Sequence, residues 1–192
     1  IESDPHKHFL KPEQEVRNYF LALNLLEEKL KNRERFSKEL ILEVQEIVEK
    51  GAPKEKIGLR GPMPQGVLFA VYDSETGAPE YTPPEYTDTG DLLDELVKYV
   101  NTTDDHPLII AAVVHYQLVP IHPFEDGNGR TGRLLINYEL LKENLPPVVI
   151  SKDDRVNYFE FLKNNDFKSF ANWLKELSIR EILRMEKFGY IE

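Results

Sequence analysis

Between two strongly apolar runs the chain reads Ile121-His122-Pro123-Phe124-Glu125-Asp126-Gly127-Asn128-Gly129-Arg130-Thr131-Gly132-Arg133. No core requires an imidazole, two carboxylates, three glycines and two guanidiniums in one short stretch. Glycines let backbone N–H groups approach an anion, and the apolar-periodic run that follows predicts a helix whose positive N-terminal end points at the same place. The combination reads as a phosphate cradle. Arg130 and Arg133 are three apart, on one face of that helix, and their forked donors suit a polyphosphate. Asp126 is a hard oxygen ligand beside the cradle, which suits Mg²⁺ shared between one carboxylate and the phosphates. His122, four residues ahead, is an imidazole of ordinary pKa that could take a proton near neutrality.

His122 to Arg133 match the motif HPFx(D/E)GNGRxxR without a departure, and on these residues the chain resembles the Fic family. The resemblance implies transfer of AMP from ATP to a Ser, Thr or Tyr hydroxyl of a target protein, in a mainly α domain built as a Fic-type helical bundle with one β-hairpin flap. It implies that His122 deprotonates the target and that Asp126 holds Mg²⁺, the expected cofactor, on the phosphates. It places Gly127, Asn128, Gly129, Arg130, Thr131, Gly132 and Arg133 around the nucleotide, with the two arginines at its β/γ end.

The same residues carry a second spacing, Gly127-x-Gly129-x-x-Gly132 with Asp153 about 20 residues on, which is that of a dinucleotide-binding turn. That reading requires a strand before the first glycine and a parallel sheet, and would make the protein an oxidoreductase. A third reading keeps the fold as a catalytically silent interaction module.

The elements that must hold the stretch follow from periodicity. Val16, Tyr19, Phe20, Leu23, Leu26 and Leu30 predict an amphipathic helix from Glu13 to about Lys31. Ser37 is an N-cap for a second helix with Leu40, Val44, Ile47 and Val48 inward and Gly51 as its stop. Residues 51–66 hold four glycines and three prolines, a long irregular loop of the kind that is often functional. Val67 to Tyr72, a turn at 73–77 and Glu80 to Thr82 predict a β-hairpin. By the resemblance it is a flap, with Ala78, Glu80 and Tyr81 docking the target by strand pairing. A helix with Leu92, Leu93, Leu96, Val97 and Val100 comes next. Asp104 or Asp105 then caps one that begins near Pro107 and is apolar all round. His115 within it reads as a buried, hydrogen-bonded core histidine. After the loop, Leu134, Leu135, Tyr138 and Leu141 form a second central helix that ends before Pro146-Pro147. Ser151-x-x-Asp154 resembles a capping box opening the helix with Tyr158. A last helix from Phe167 carries Phe170, Trp173, Leu174 and Leu177. The resemblance adds Tyr158 and Asn164 as contacts to the base. It also reads Ile1-Glu2 as the end of an inhibitory helix whose Glu2 pairs with Arg133. Residues 1–11 are then a tail and 12–192 the Fic domain.

With 34 Asp+Glu against 24 Lys+Arg the formal charge is −10, which argues against general nucleic-acid binding. There is no cysteine, so disulfides and thiolate metal sites are excluded. No apolar run spans a bilayer and no signal peptide is visible, so a cytoplasmic location is expected. ATP and a target protein are the expected partners, and self-modification and a homodimer are compatible with that reading.

Overall fold

The structure, a computed structural model, describes residues 10–67, 69–72, 77–151, 153–164 and 166–189. Among them lie helices α1 (Pro12–Lys31), α2 (Lys38–Val48), α3 (Thr89–Thr102), α4 (Pro107–Ile121), α5 (Asn128–Lys142), α6 (Arg155–Asn164) and α7 (Phe167–Lys187). Strands β1 (Val71–Tyr72) and β2 (Pro79–Tyr81) pair antiparallel, with Val71 opposite Tyr81 and Tyr72 opposite Pro79. The mainly α class with one hairpin is therefore as expected. The dinucleotide reading fails on topology: the described strands form no parallel sheet, and Gly127 follows a helix and a loop, not a strand.

α4 and α5 form the centre because each is apolar on two sides. One side joins α1 to α3 in a core built on Leu26, Phe36, Ile41, Leu93, Phe124 and Tyr138. The other packs on α6 and α7 through Tyr116, Ile136, Leu140, Phe170, Trp173 and Leu174. Two cores back to back clamp the α4–α5 loop from both ends, which is what a rigid site needs. α6 and α7 are tied at Asp154, which accepts both hydrogen bonds of the Arg180 fork (2.9 and 2.8 Å) and the Ser151 backbone N–H (2.8 Å). The Arg180 guanidinium holds the Asp154 carboxyl well below the usual carboxylate range.

Several local expectations hold and three change. Ser37 caps α2, its hydroxyl accepting from the Leu40 N–H at 3.1 Å. α1, however, presents Asn18, Ala22 and Leu26 to the core and leaves Val16 and Phe20 57% and 62% exposed. The cause is polar. The Asn18 carboxamide donates to the carbonyls of Val48 and Lys50, both at 2.9 Å, closing the C-terminal end of α2 and fixing the rotation of α1. α4 is capped by His106, whose Nδ1 accepts from the Leu108 N–H at 3.2 Å, while Asp105 is occupied by the hydroxyls of Tyr99 and Thr103. The hairpin is shorter than its β-type run because Val67 closes a turn on the Pro64 carbonyl (3.0 Å) and Gly66 has φ +81°.

Candidate active site

The loop joining α4 to α5 begins where His122 takes a left-handed conformation (φ 46°, ψ 57°), turning the chain sharply off the end of α4. Phe124 fills the core beneath it, fully buried. Asn128 closes the loop: its Oδ1 accepts from the Phe124 N–H (3.1 Å) and its Nδ2 donates to the Phe124 carbonyl (2.9 Å). The carboxamide expected to seat phosphate thus also shapes the loop. Gly127 precedes α5 at φ +82°, and a Cβ there would lie 2.6 Å from Glu49 Oε1, so the position excludes a side chain twice over. The first bond of α5 runs from the Thr131 N–H to the Gly127 carbonyl (2.8 Å). The N–H groups of Asn128, Gly129 and Arg130 lie ahead of it, without a carbonyl partner inside the helix, and form the anion-binding end.

On one side of this cradle stands the imidazole. The hydroxyl of Tyr81, at the end of β2, donates to the Val119 carbonyl at 2.6 Å and lies 3.1 Å from His122 Nδ1. The Phe69 ring covers the imidazole with centroids 5.8 Å apart. Burial is the main cause that pushes the His122 pKa down to about 4, so the expected ordinary value is corrected: the ring is neutral throughout the neutral range. Arg60, buried in the Gly- and Pro-rich loop, ties these parts together. Its Nε donates to the His122 carbonyl (2.8 Å), its Nη2 to the Pro84 carbonyl, and its own N–H to the Pro123 carbonyl (2.8 Å). Its guanidinium also lies 4.7 Å from the Phe69 ring centroid. One side chain thus fixes both arms of the hairpin to the loop that carries the histidine.

On the other side lies a nest of acids. Asp126 Oδ1 accepts from the Gly127 N–H at 2.6 Å and from Arg130 at 3.1 Å. The same guanidinium lies 2.8 Å from Glu49 and 3.0 Å from Glu15. Glu49 is fully buried, and no directional hydrogen bond from the described residues reaches either of its oxygens, so its pairing with Arg130 is one of charge. Burial is the first cause that pushes its carboxyl up to about 7. Arg130 opposes this, and the neighbouring charges of Asp126 and Glu15 add to it. Gln45 braces the nest, donating to the carbonyls of Lys56 (3.0 Å) and Asp126 (3.4 Å) and accepting from the Gly58 N–H (2.9 Å). Lys56 in turn pairs with Glu125.

The remaining expected residues separate into two groups. The Arg133 guanidinium folds back over the first turn of α5, where a Cβ on Gly129 would meet it at 3.1 Å, and so stands beside the free N–H groups. Arg130, expected beside it on phosphate, pairs with the carboxylates of Glu15, Glu49 and Asp126. Thr131 is fully buried. Gly132 serves packing, since a Cβ there would meet His115 Nδ1 at 2.6 Å. His115 is the core histidine expected, its Nε2 2.8 Å from the Tyr158 hydroxyl and its ring stacked on Phe170. Tyr158, expected at the base, is thereby committed by its hydroxyl to the core. Its ring faces α5 at Arg133, 6.0 Å from centroid to guanidinium. Asn164 ends α6, exposed, with no described contact to the loop. Ala78 and Glu80 lie at and in β2, and Glu2 falls outside the described residues.

A family model described as the Fic/DOC family matches residues 35–140, from the turn before α2 through most of α5. The chain belongs to the Fic/DOC family. Among its relatives, the protein adenylyltransferase Fic of Drosophila melanogaster is 39% identical over 102 residues, covering 50% of this chain and 21% of the relative. The protein of the same name from Aedes aegypti is 36% identical over 108 residues, covering 53% and 22%. The chain spans about a fifth of the length of these curated relatives. Fic-1 of C. elegans superposes with a TM-score of 0.77 at 28% identity, over 98% of this chain and 55% of that one. A Fic domain containing signaling protein from Bacteroides thetaiotaomicron VPI-5482 gives 0.75 at 25% identity, over 91% and 71%. In this Fic domain, sequence reasoning missed Gln45, Glu49 and Arg60. Gln45 and Glu49 continue the row of Ile41 at steps of four along a buried helix face, a polar pair where apolar residues belong. Arg60 is the lone arginine in a loop already singled out as functional.

Proposed function

We propose that this Fic domain transfers AMP from ATP to a hydroxyl of a target protein. One observation carries the reading: a neutral, shielded imidazole and the free N–H groups of the α5 N-terminus, with Arg133 over them, are presented by one loop under a hairpin. The target oxygen forms its bond to the α-phosphorus, the bond to the β-phosphate oxygen breaks, pyrophosphate leaves with that electron pair, and His122 takes the hydroxyl proton. The polyphosphate brings negative charge toward the imidazole, which raises its proton affinity at the moment it is needed. Catalysis is then mostly placement and charge neutralisation by donors that are already oriented.

The donor set fits one hard divalent cation, Mg²⁺ in our reading. Asp126 is partly exposed and spends Oδ1 within the loop, which leaves Oδ2 as a ligand beside the phosphate site. When bound, the cation neutralises phosphate charge, and Asp126 is the residue that would hold it. β2 would take an extended segment of the target by strand pairing, and Glu2 would pair with Arg133 in place of the γ-phosphate. A Glu2→Gly chain that transfers AMP no faster than the parent would remove that last role. Incubation with α-labelled ATP and a cell lysate, followed by mass spectrometry, tests the reading as a whole. AMP on Ser, Thr or Tyr side chains, absent with His122→Ala, is the expected result, and a lysate left unlabelled by both the parent and the Glu2→Gly chain overturns it.

A further inference from the structure

Three polar atoms meet behind the imidazole: His122 Nδ1, the Tyr81 hydroxyl and the Val119 carbonyl. The hydroxyl is 2.6 Å from the carbonyl and 3.1 Å from Nδ1, and Nδ1 is 3.3 Å from the same carbonyl. Their protons can be assigned by elimination. A carbonyl only accepts, so the short contact requires the tyrosine to donate its single proton to Val119. That turns a lone pair of the phenol oxygen toward Nδ1. With two acceptors around it, Nδ1 must carry the proton, because a bare Nδ1 would set lone pair against lone pair. The ring is neutral, so it carries one proton on one nitrogen only, and a proton on Nδ1 leaves Nε2 bare.

We propose that the Tyr81 hydroxyl is a positioning residue that locks His122 in the tautomer protonated on Nδ1, so that the hairpin offering itself to the target also leaves Nε2 as the bare, proton-accepting nitrogen. The inference rests on the reading of His122 as the base. It adds that base and docking strand are one unit: Tyr81 ends β2, its partner in the ladder is Val71, and Arg60 fastens both arms of the hairpin to the His122 loop. A target segment that orders β2 would thereby order the proton on the base. Tyr81 touches neither substrate nor reacting atoms in this role, and acts only through the ring.

The test is a tautomer measurement joined to kinetics. In the chain labelled with ¹⁵N-histidine, long-range ¹H–¹⁵N correlation spectra near neutral pH should show His122 as a single tautomer protonated on Nδ1. Tyr81→Phe, which removes one oxygen and leaves the strand and ring, should give a mixture of tautomers. Its kcat for AMP transfer from α-labelled ATP to lysate proteins should fall about 10-fold, with the KM for ATP unchanged, since a misplaced proton removes rate and not nucleotide binding. A parent chain protonated on Nε2, or a Tyr81→Phe chain with the parent's tautomer whatever its rate, overturns the proposal. The spectra report the tautomer even if no protein is modified, so failure of the transferase reading and failure of this inference are told apart.

Discussion

At the His122 end of the α4–α5 loop the contacts are aimed at neutral groups: a phenol on a carbonyl, an imidazole beside both, and an arginine whose donors go to three backbone carbonyls. At the Asp126 end, a few residues on, one guanidinium is shared among Asp126, Glu49 and Glu15, and Glu49 has charge contact without directional bonds. The difference separates two tasks. Directional bonds to fixed backbone set the geometry of a base and change little with conditions. A surplus of carboxylates around one arginine is frustrated as it stands, and a cation or a proton relieves it. The loop is therefore stiff where the proposed proton transfer would occur and responsive where phosphate and metal would arrive.

The largest expected effect is at the stiff end. His122→Ala should lower AMP transfer by about 10²-fold or more, while calorimetry shows ATP binding close to the parent's, because losing a base removes rate rather than affinity. A variant that still transfers at the parent rate would leave this end with no chemical role. At the responsive end the two arginines should part company. Arg130→Ala leaves three carboxylates facing one another, so it should destabilise the fold by about 3 kcal/mol, read from denaturant unfolding. Arg133→Ala should unfold like the parent yet bind ATP about 10-fold more weakly, the effect of one charged contact to phosphate. If the two variants exchanged these phenotypes, the assignment of Arg133 to phosphate and Arg130 to the acid nest would be reversed.

Much of this was legible in the sequence because it depends on local order. The helices, the Ser37 cap and the central place of α4 and α5 follow from periodicity and capping chemistry. The histidine, Asp126 and the glycines follow from residue type. What escaped depends on contacts between distant segments. Asn18 rotates α1 by reaching across to the end of α2, and no periodic pattern records that. Glycines read as phosphate cradle divide by context: Gly127 makes room for Glu49 and Gly132 for His115, partners 78 and 17 residues upstream. Arg130 and Arg133 are equivalent on a helical wheel. They part only because α1 and α2 bring acids to one of them, while the other folds over the open turn.

The smallest effect is the sharpest probe of the contrast, since the two ends should impose opposite pH slopes on stability. Burial pushes the Glu49 carboxyl up from 4.5 to about 7. Between those values the folded chain keeps a proton that the unfolded chain gives up, so the Glu49 contribution to stability falls as pH rises through that window. His122 and His115 are pushed down from 6.5 to about 4 and about 3, both chiefly by burial. The unfolded chain takes up their protons first as pH falls below about 6.5, so their contribution is lost toward acid and its slope has the other sign. Near pH 5.5 the two oppose each other, and at pH 7 only the last of the Glu49 slope remains. Glu49→Gln removes one proton from this balance, worth at most about 1.4 kcal/mol per pH unit. Denaturant unfolding from pH 5 to 7 should therefore show stability rising more steeply with pH in Glu49→Gln than in the parent. The slope is the measure to use, because a buried amide without partners changes the absolute stability at every pH alike. Parallel curves for the two chains would mean that Glu49 is ionised throughout, held by Arg130 as an ordinary pair, and the responsive end would lose its proton switch while keeping its place for a cation.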